Sequence, residues 1–206
     1  MTPLRVAVVD SGVHADHPHI GGVAGGVGID SHGREHHDYV DRLGHGTAVT
    51  AVIREKAPSA DVFAVKVFDS ELAATVDALV SACDWAARHG MHIVNLSLGT
   101  QNPDHEAALT GAVSRLRQAG AIVIAAAPQD GVRWLPGALL DAWSVTLDWT
   151  LDRNDVRVRM EAGGRFEFLA SGYPRPIPGV PPEQNLKGLS FAVANVTGLL
   201  AAVRHR

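Results

Sequence analysis

Short apolar runs alternate with amphipathic stretches along the first two thirds of the chain. Residues 4–9 form a β-branched run closed by Asp10, the pattern of a strand buried on both faces. Residues 62–68 form a second such run, after a turn at Pro58. Over residues 70–89, Leu72, Val76, Leu79, Val80 and Cys83 recur at helical spacing, and Gly90 supplies a stop. A strand over 91–98, a helix over 104–119 ending at Gly120, and a strand over 121–127 follow. This β-α-β-α-β order predicts an α/β fold with three layers: a mostly parallel sheet with helices on both faces. Ligands of such sheets bind at the carboxyl ends of the strands. Residues 155–160 and 165–169 flank Gly163-Gly164 and predict a β-hairpin. A Pro- and Gly-rich loop over 171–182 leads to an apolar final helix over 190–203. No internal repeat or linker divides the chain, so residues 1–206 read as a single domain.

Composition narrows the function classes. Of 206 residues, 46% are hydrophobic and 19% charged, which suits a globular core. The net charge of -4 offers no basic surface for nucleic acid. No apolar run reaches the length of a membrane span. A lone cysteine, Cys83, excludes an internal disulfide and fits a core position on its helix. The first apolar stretch, Val6 to Val9, ends in Asp10 and reads as a strand rather than a secretory signal. Cytoplasmic residence is therefore the expectation, with folding that needs no N-terminal propeptide.

Three polar residues stand where a site would form. Asp10 ends the first buried strand, His45 lies in Gly44-His45-Gly46-Thr47, and Ser190 opens the last helix in Gly188-Leu189-Ser190-Phe191-Ala192. A serine hydroxyl is a weak nucleophile at neutral pH. An imidazole that takes its proton and a carboxylate that orients the imidazole make it a strong one. Taken singly, Asp10 reads equally as a turn or capping residue and Ser190 as a helix N-cap. A serine at a helix N-terminus also lies among unpaired N–H groups that can hold an oxyanion.

Taken together, the three segments resemble the subtilisin-like serine peptidases. Val8-Val9-Asp10-Ser11-Gly12-Val13 is similar to that family's aspartate motif, residues 44–49 to its histidine motif, and residues 188–192 with Val196 and Gly198 to its serine motif. The order Asp, His, Ser is the subtilisin order. Residues 57–60, 64–67 and 95–99 are also similar, so the resemblance runs from about Arg5 to Ala201. It implies a subtilisin-like sheet and a serine endopeptidase that acts through an Asp10-His45-Ser190 triad and an acyl-enzyme. It also implies a peptide or protein substrate, lying along Ser97, Leu98 and Gly99 in the groove and at the wall of the primary specificity pocket. No cofactor and no metal are implied.

The chain departs from the family pattern in several places. The oxyanion-hole asparagine is replaced by Gln129, in Ala127-Pro128-Gln129-Asp130. Glutamine keeps the amide donor on one more methylene, so Gln129 and the Ser190 N–H are the expected oxyanion donors. The loop that holds calcium in many relatives is missing between His45 and Ala57. The short loop over 131–140, with Arg133 and Trp134, borders the specificity pocket by alignment, and Leu72-Ala73-Ala74 replace a glycine-rich groove edge. His14, His17, His19, His32, His36 and His37 show no tight metal-ligand pattern and read as a solvated loop. Gly21 to Gly28 opens no helix and is no phosphate loop. Two functions are weighed: a selective endopeptidase, one role of which is to process a precursor peptide, and a pseudoprotease that keeps the groove but has lost the oxyanion hole.

Overall fold

The computed structural model describes residues 3–127, 132–160 and 164–204. Among these residues, nine strands make one sheet: β1 (Arg5–Asp10), β2 (Gly25–Ile29), β3 (Glu35–His36), β4 (Asp61–Lys66), β5 (Ile93–Leu96), β6 (Ile122–Ala126), β7 (Ala142–Leu147), β8 (Val156–Met160) and β9 (Phe166–Ala170). Their spatial order is β3-β2-β4-β1-β5-β6-β7-β9-β8. The strands from β2 across to β9 run parallel, and β3 and β8 close the two edges antiparallel.

Four helices cover the sheet: α1 (His45–Lys56), α2 (Val76–Arg88), α3 (Glu106–Gln118) and α4 (Leu189–Arg204). The pleat of β1 shows why both faces need cover. Val6 and Val8 enter the core beneath α1 and α4, with Val49, Val52, Ile53 and Phe191. Ala7 and Val9 enter the opposite core, with Leu79, Cys83 and Leu116 of α2 and α3. A strand that is apolar at every position reads as a continuous run for this reason. Each valine so buried contributes about 1.5–3 kcal/mol.

Several expectations are modified. Helix α2 begins at Val76, not at 70, because Thr75 accepts the Ala78 N–H at 3.2 Å and caps the helix there. Leu72, assigned to the helix face by periodicity, lies exposed on the preceding loop. The hairpin of β8 and β9 forms, with Val156 opposite Ala170, and β9 also pairs in parallel with β7. Strands β2, β3 and β7 are absent from the sequence pattern. Glycines at 25, 26 and 28 erase the β-branched signal of β2, and β7 carries Trp143 and Ser144 inside an irregular apolar pattern. Cys83 is buried, and burial pushes its thiol up to about 12.

The chain passes from β1 to strands on one side of it, β2 and β4, and then crosses to β5 on the other. The carboxyl end of β1 is therefore a topological switch point, where α/β sheets open a crevice. Asp10 stands there.

Candidate active site

Asp10 is the last residue of β1 and is fully buried. Its Oδ1 accepts the Ser11 N–H at 2.7 Å and lies 2.7 Å from His45 Nδ1. A carboxylate only accepts, so Nδ1 carries the proton and the other ring nitrogen, Nε2, keeps its lone pair in the neutral ring. Asp10 Oδ2 is buried with no hydrogen-bond partner among the described residues, so the imidazole and one amide are what this carboxylate holds.

His45 is the first residue of α1, and a close approach of backbones brings it to Asp10. A Cβ at Gly46 would stand 2.2 Å from the Gly12 carbonyl oxygen and 3.1 Å from Asp10 Cβ. Only glycine lets the first turn of α1 rest on the turn after β1.

That first turn is capped from a distance. Gly44 has a φ of 82° and offers no side chain to the helix. Asp41 does the capping instead: Oδ2 accepts the Thr47 N–H at 2.8 Å and the Thr47 hydroxyl at 2.6 Å. Its Oδ1 accepts the Leu43 and Gly44 N–H groups and the Ser11 hydroxyl, at 2.9, 2.8 and 2.9 Å. Ser11 Oγ in turn accepts the Gly46 N–H at 2.9 Å. The unpaired amides of the helix start are thus met by one buried anion and one hydroxyl, with the anion at the positive end of the helix dipole. Burial pushes the Asp41 carboxyl up, but the hydrogen bonds from Thr47, Ser11 and Gly44 outweigh it and hold its pKa below the ordinary value.

For His45, burial alone would lower the pKa. The hydrogen bond to Asp10, its charge and the charge of Asp41 overcome this and raise it above the ordinary histidine value.

Ser190 occupies the first turn of α4, after Gly188. Its hydroxyl donates to the Ser97 carbonyl at 3.3 Å, and Ser97 Oγ donates to the Ser190 carbonyl at 3.3 Å. Asn95 Nδ2 donates to Ser97 Oγ, and Thr197 Oγ1 to Asn95 Oδ1, which ties β5 to α4. The sequence predicts Ser190 within hydrogen-bond reach of His45. In the structure its hydroxyl turns to Ser97 instead, and among the described residues the imidazole bonds only Asp10. A serine hydroxyl moves between partners by one staggered step about χ1, and catalytic hydrogen bonds commonly tighten only when substrate is bound. The other expected oxyanion donor, Gln129, lies outside the described residues.

One cleft of about 420 Å³ is lined by His45, Ser190, Ser97, Leu98 and Gly99 together. Leu72, Val76, Leu79, Leu109, His105 and Trp134 line the same cleft. Asp41, Ser11 and Asn95 were not singled out from the sequence. The position of Asp41, four residues before His45 and just ahead of a glycine that cannot cap, was the signal for the first of them. Among the described residues, no group of three or more His, Cys, Asp or Glu side chains is placed to hold a metal ion. No helix among them is long and apolar enough to cross a membrane.

The Subtilase family matches residues 3–146, a stretch that contains Asp10 and His45 and stops before Ser190. A thermostable alkaline protease of Halalkalibacterium halodurans is 31% identical over 222 residues, covering 98% of this chain and 57% of its own length. Subtilisin Savinase of Lederbergia lenta is 30% identical, covering 98% of this chain and 77% of its own. The chain thus spans little more than half of the first relative and about three quarters of the second. Solved structures agree on the fold. The prenylagaramide maturation protease superposes with a TM-score of 0.69 at 24% identity, over 97% of this chain and 74% of its own. The epidermin leader peptide processing serine protease of Staphylococcus aureus gives 0.75 at 18% identity, over 98% and 65%. With a family model that matches more than half of its residues and relatives of 31% and 30% identity that cover 98% of it, the chain belongs to the subtilase family.

Proposed function

We propose that the chain is a serine endopeptidase that works through Asp10, His45 and Ser190. The observation that carries this is the 2.7 Å contact of buried Asp10 with His45 Nδ1, in a cleft that Ser190 also lines. Nε2 of His45 takes the Ser190 proton as Oγ bonds to the substrate carbonyl carbon. The Ser190 N–H, in the first turn of α4, donates to the oxygen that becomes negative. The carbon–nitrogen bond then breaks, and His45 gives its proton to the departing amine. Water, deprotonated by the same imidazole, releases the acyl group and restores Ser190. Asp10 orients the ring and stabilises the imidazolium.

A side-chain-free fluorophosphonate tests the reading. Its expected product is one covalent adduct per chain, located by mass spectrometry on Ser190 and absent from Ser190→Ala. A chain that resists the reagent is a peptide-binding pseudoprotease, and the reading fails.

The raised pKa of His45 sets a pH dependence. The base must be neutral, so kcat/KM is expected to climb with pH and to level off only above the ordinary histidine value of about 6.5. Linkage has the opposite sense: the protonated ring stabilises the fold below about pH 6.5, and that contribution is lost as pH rises through the higher folded value. A pH–rate profile with its acid limb centred below about 6 would contradict this.

Gln129 completes the oxyanion hole in this reading, on the strength of its position in the sequence. Its extra torsion makes it a less preorganised donor than asparagine. Gln129→Ala is expected to lower kcat by about 10²-fold, the lower end known for loss of such a donor in a subtilisin, with KM little changed. Steady-state kinetics at saturating peptide check this.

The substrate is a precursor peptide cut at one site. Two structural neighbours carry processing functions in their names, leader peptide processing and prenylagaramide maturation.

A further inference from the structure

We infer that Trp134 closes the cleft beside Ser190, so that the residue supplying the scissile carbonyl must be small: glycine, alanine or serine. The inference rests on the peptidase reading above and names the substrate class of that site.

The argument begins with what holds Trp134. On one side, Arg133 makes a two-pronged ion pair with Glu106 at the start of α3, with Nη2 to Oε1 at 2.6 Å. On the other, Leu135 and Thr100 exchange two backbone hydrogen bonds of 2.9 Å each. The Trp134 carbonyl accepts the Ala138 N–H at 2.8 Å. The backbone on either side of Trp134 is thus tied to α3 and to the continuation of β5.

The indole lies against Gly99. A Cβ built on Gly99 would stand 2.9 Å from Trp134 Cε3, so the ring rests where any other residue would carry its side chain. Gly99 has no need of a left-handed backbone; its lack of a side chain admits both the indole and the Leu135 carbonyl oxygen, which a Cβ would also meet at 2.9 Å.

Distance along the wall then fixes which substrate residue meets the ring. Attack requires the carbonyl carbon about 3 Å from Ser190 Oγ. Oγ touches the Ser97 carbonyl, so the reacting residue lies against Ser97, Leu98 and Gly99. Its side chain leaves the atom next to the carbonyl and cannot reach far from Gly99, where the indole stands. Leu72, Val76, Leu79 and Leu109 line the same cleft and offer apolar surface to residues further up the chain. A methyl or hydroxymethyl group fits beside the indole; a benzyl or isobutyl group collides with it.

Amino-acid diphenyl phosphonates test this, since they carry one side chain to the serine. Ser190 Oγ bonds to phosphorus, the bond from phosphorus to one phenoxy oxygen breaks, and phenol leaves with the serine proton. The alanine reagent is expected to inactivate the parent at least about tenfold faster than the phenylalanine reagent, a modest demand for a difference of this size in a closed pocket. In Trp134→Ala, the phenylalanine-to-alanine rate ratio is expected to rise by at least about tenfold. The parent ratio stands as a test without the variant, and a thermal melt by circular dichroism shows whether the variant is folded. A parent that labels with fluorophosphonate yet reacts equally with both phosphonates overturns the inference and leaves the peptidase intact. A folded Trp134→Ala with an unchanged ratio also overturns it. A parent inert to fluorophosphonate removes the peptidase reading and this inference with it.

Discussion

Peptide hydrolysis by Ser190→Ala is expected to fall by about 10⁶-fold, the loss known for a subtilisin stripped of its nucleophile. The geometry explains why so much rests on one hydroxyl. Asp10 is buried with its charge committed to His45, and the imidazole has no described partner for Nε2. In the proposed mechanism both serve the proton that Ser190 gives up. His45→Ala is expected to cost about as much, and the double variant little more than either, because the residues act as one unit. Full-length kinetics on a cleaved peptide, with background hydrolysis by co-purifying enzymes subtracted through fluorophosphonate, measure this. Additive losses in the double variant would show that the two residues do not work together.

Asp41→Ala is expected to destabilise the fold by about 3–5 kcal/mol, at the upper end for one substitution. Five donors converge on this carboxylate: the Leu43, Gly44 and Thr47 amides and the Ser11 and Thr47 hydroxyls. Hydrogen bonds to a charged acceptor are worth about 1.5–3 kcal/mol each, and the partners do not add fully because several lose their partner at once. Asparagine is no rescue, since its amide nitrogen cannot accept from Thr47. Urea unfolding in a Ser190→Ala background, where self-cleavage is absent, gives the number. The pH dependence follows in sign. The carboxyl is held below its ordinary pKa of about 3.9, so its contribution is present above that pH and is lost as pH falls through the lower folded value. Asp41→Ala is therefore expected to flatten the acid limb of the stability curve. A loss under 1 kcal/mol would show that α1 starts without its distant cap.

Both results bear on how function is held here. The start of α1 presents His45, and Asp41 with Ser11 satisfies its free amides; the start of α4 presents Ser190, and Asn95 with Ser97 ties that helix to β5. His45 and Ser190 thus each stand at a helix N-terminus braced by polar groups on neighbouring loops and strands.

Local pattern by itself determined much of this molecule. Apolar runs at 4–9, 62–68 and 121–127 specify buried strands because a strand covered on both faces cannot alternate. The motifs at Asp10, His45 and Ser190 were legible because each sets a reactive group beside glycine: Gly12 and Gly46 allow close backbone approach, and Gly188 takes a φ of 147°. Other features were settled only in three dimensions. Strand β2 is glycine-rich and has no local preference to announce it; its pairing with β4 makes it a strand. Helix α2 starts at Val76 because its Thr75 cap competes with periodicity, and that competition leaves Leu72 on a loop that lines the cleft. The role of Asp41 depends on Ser11, 30 residues away along the chain, and the contact of Trp134 with Gly99 depends on an ion pair and a backbone bridge from two other segments. Such contacts join residues with no periodic relation to one another, so hydrophobic pattern carries no trace of them; the packing of helices on the sheet creates them.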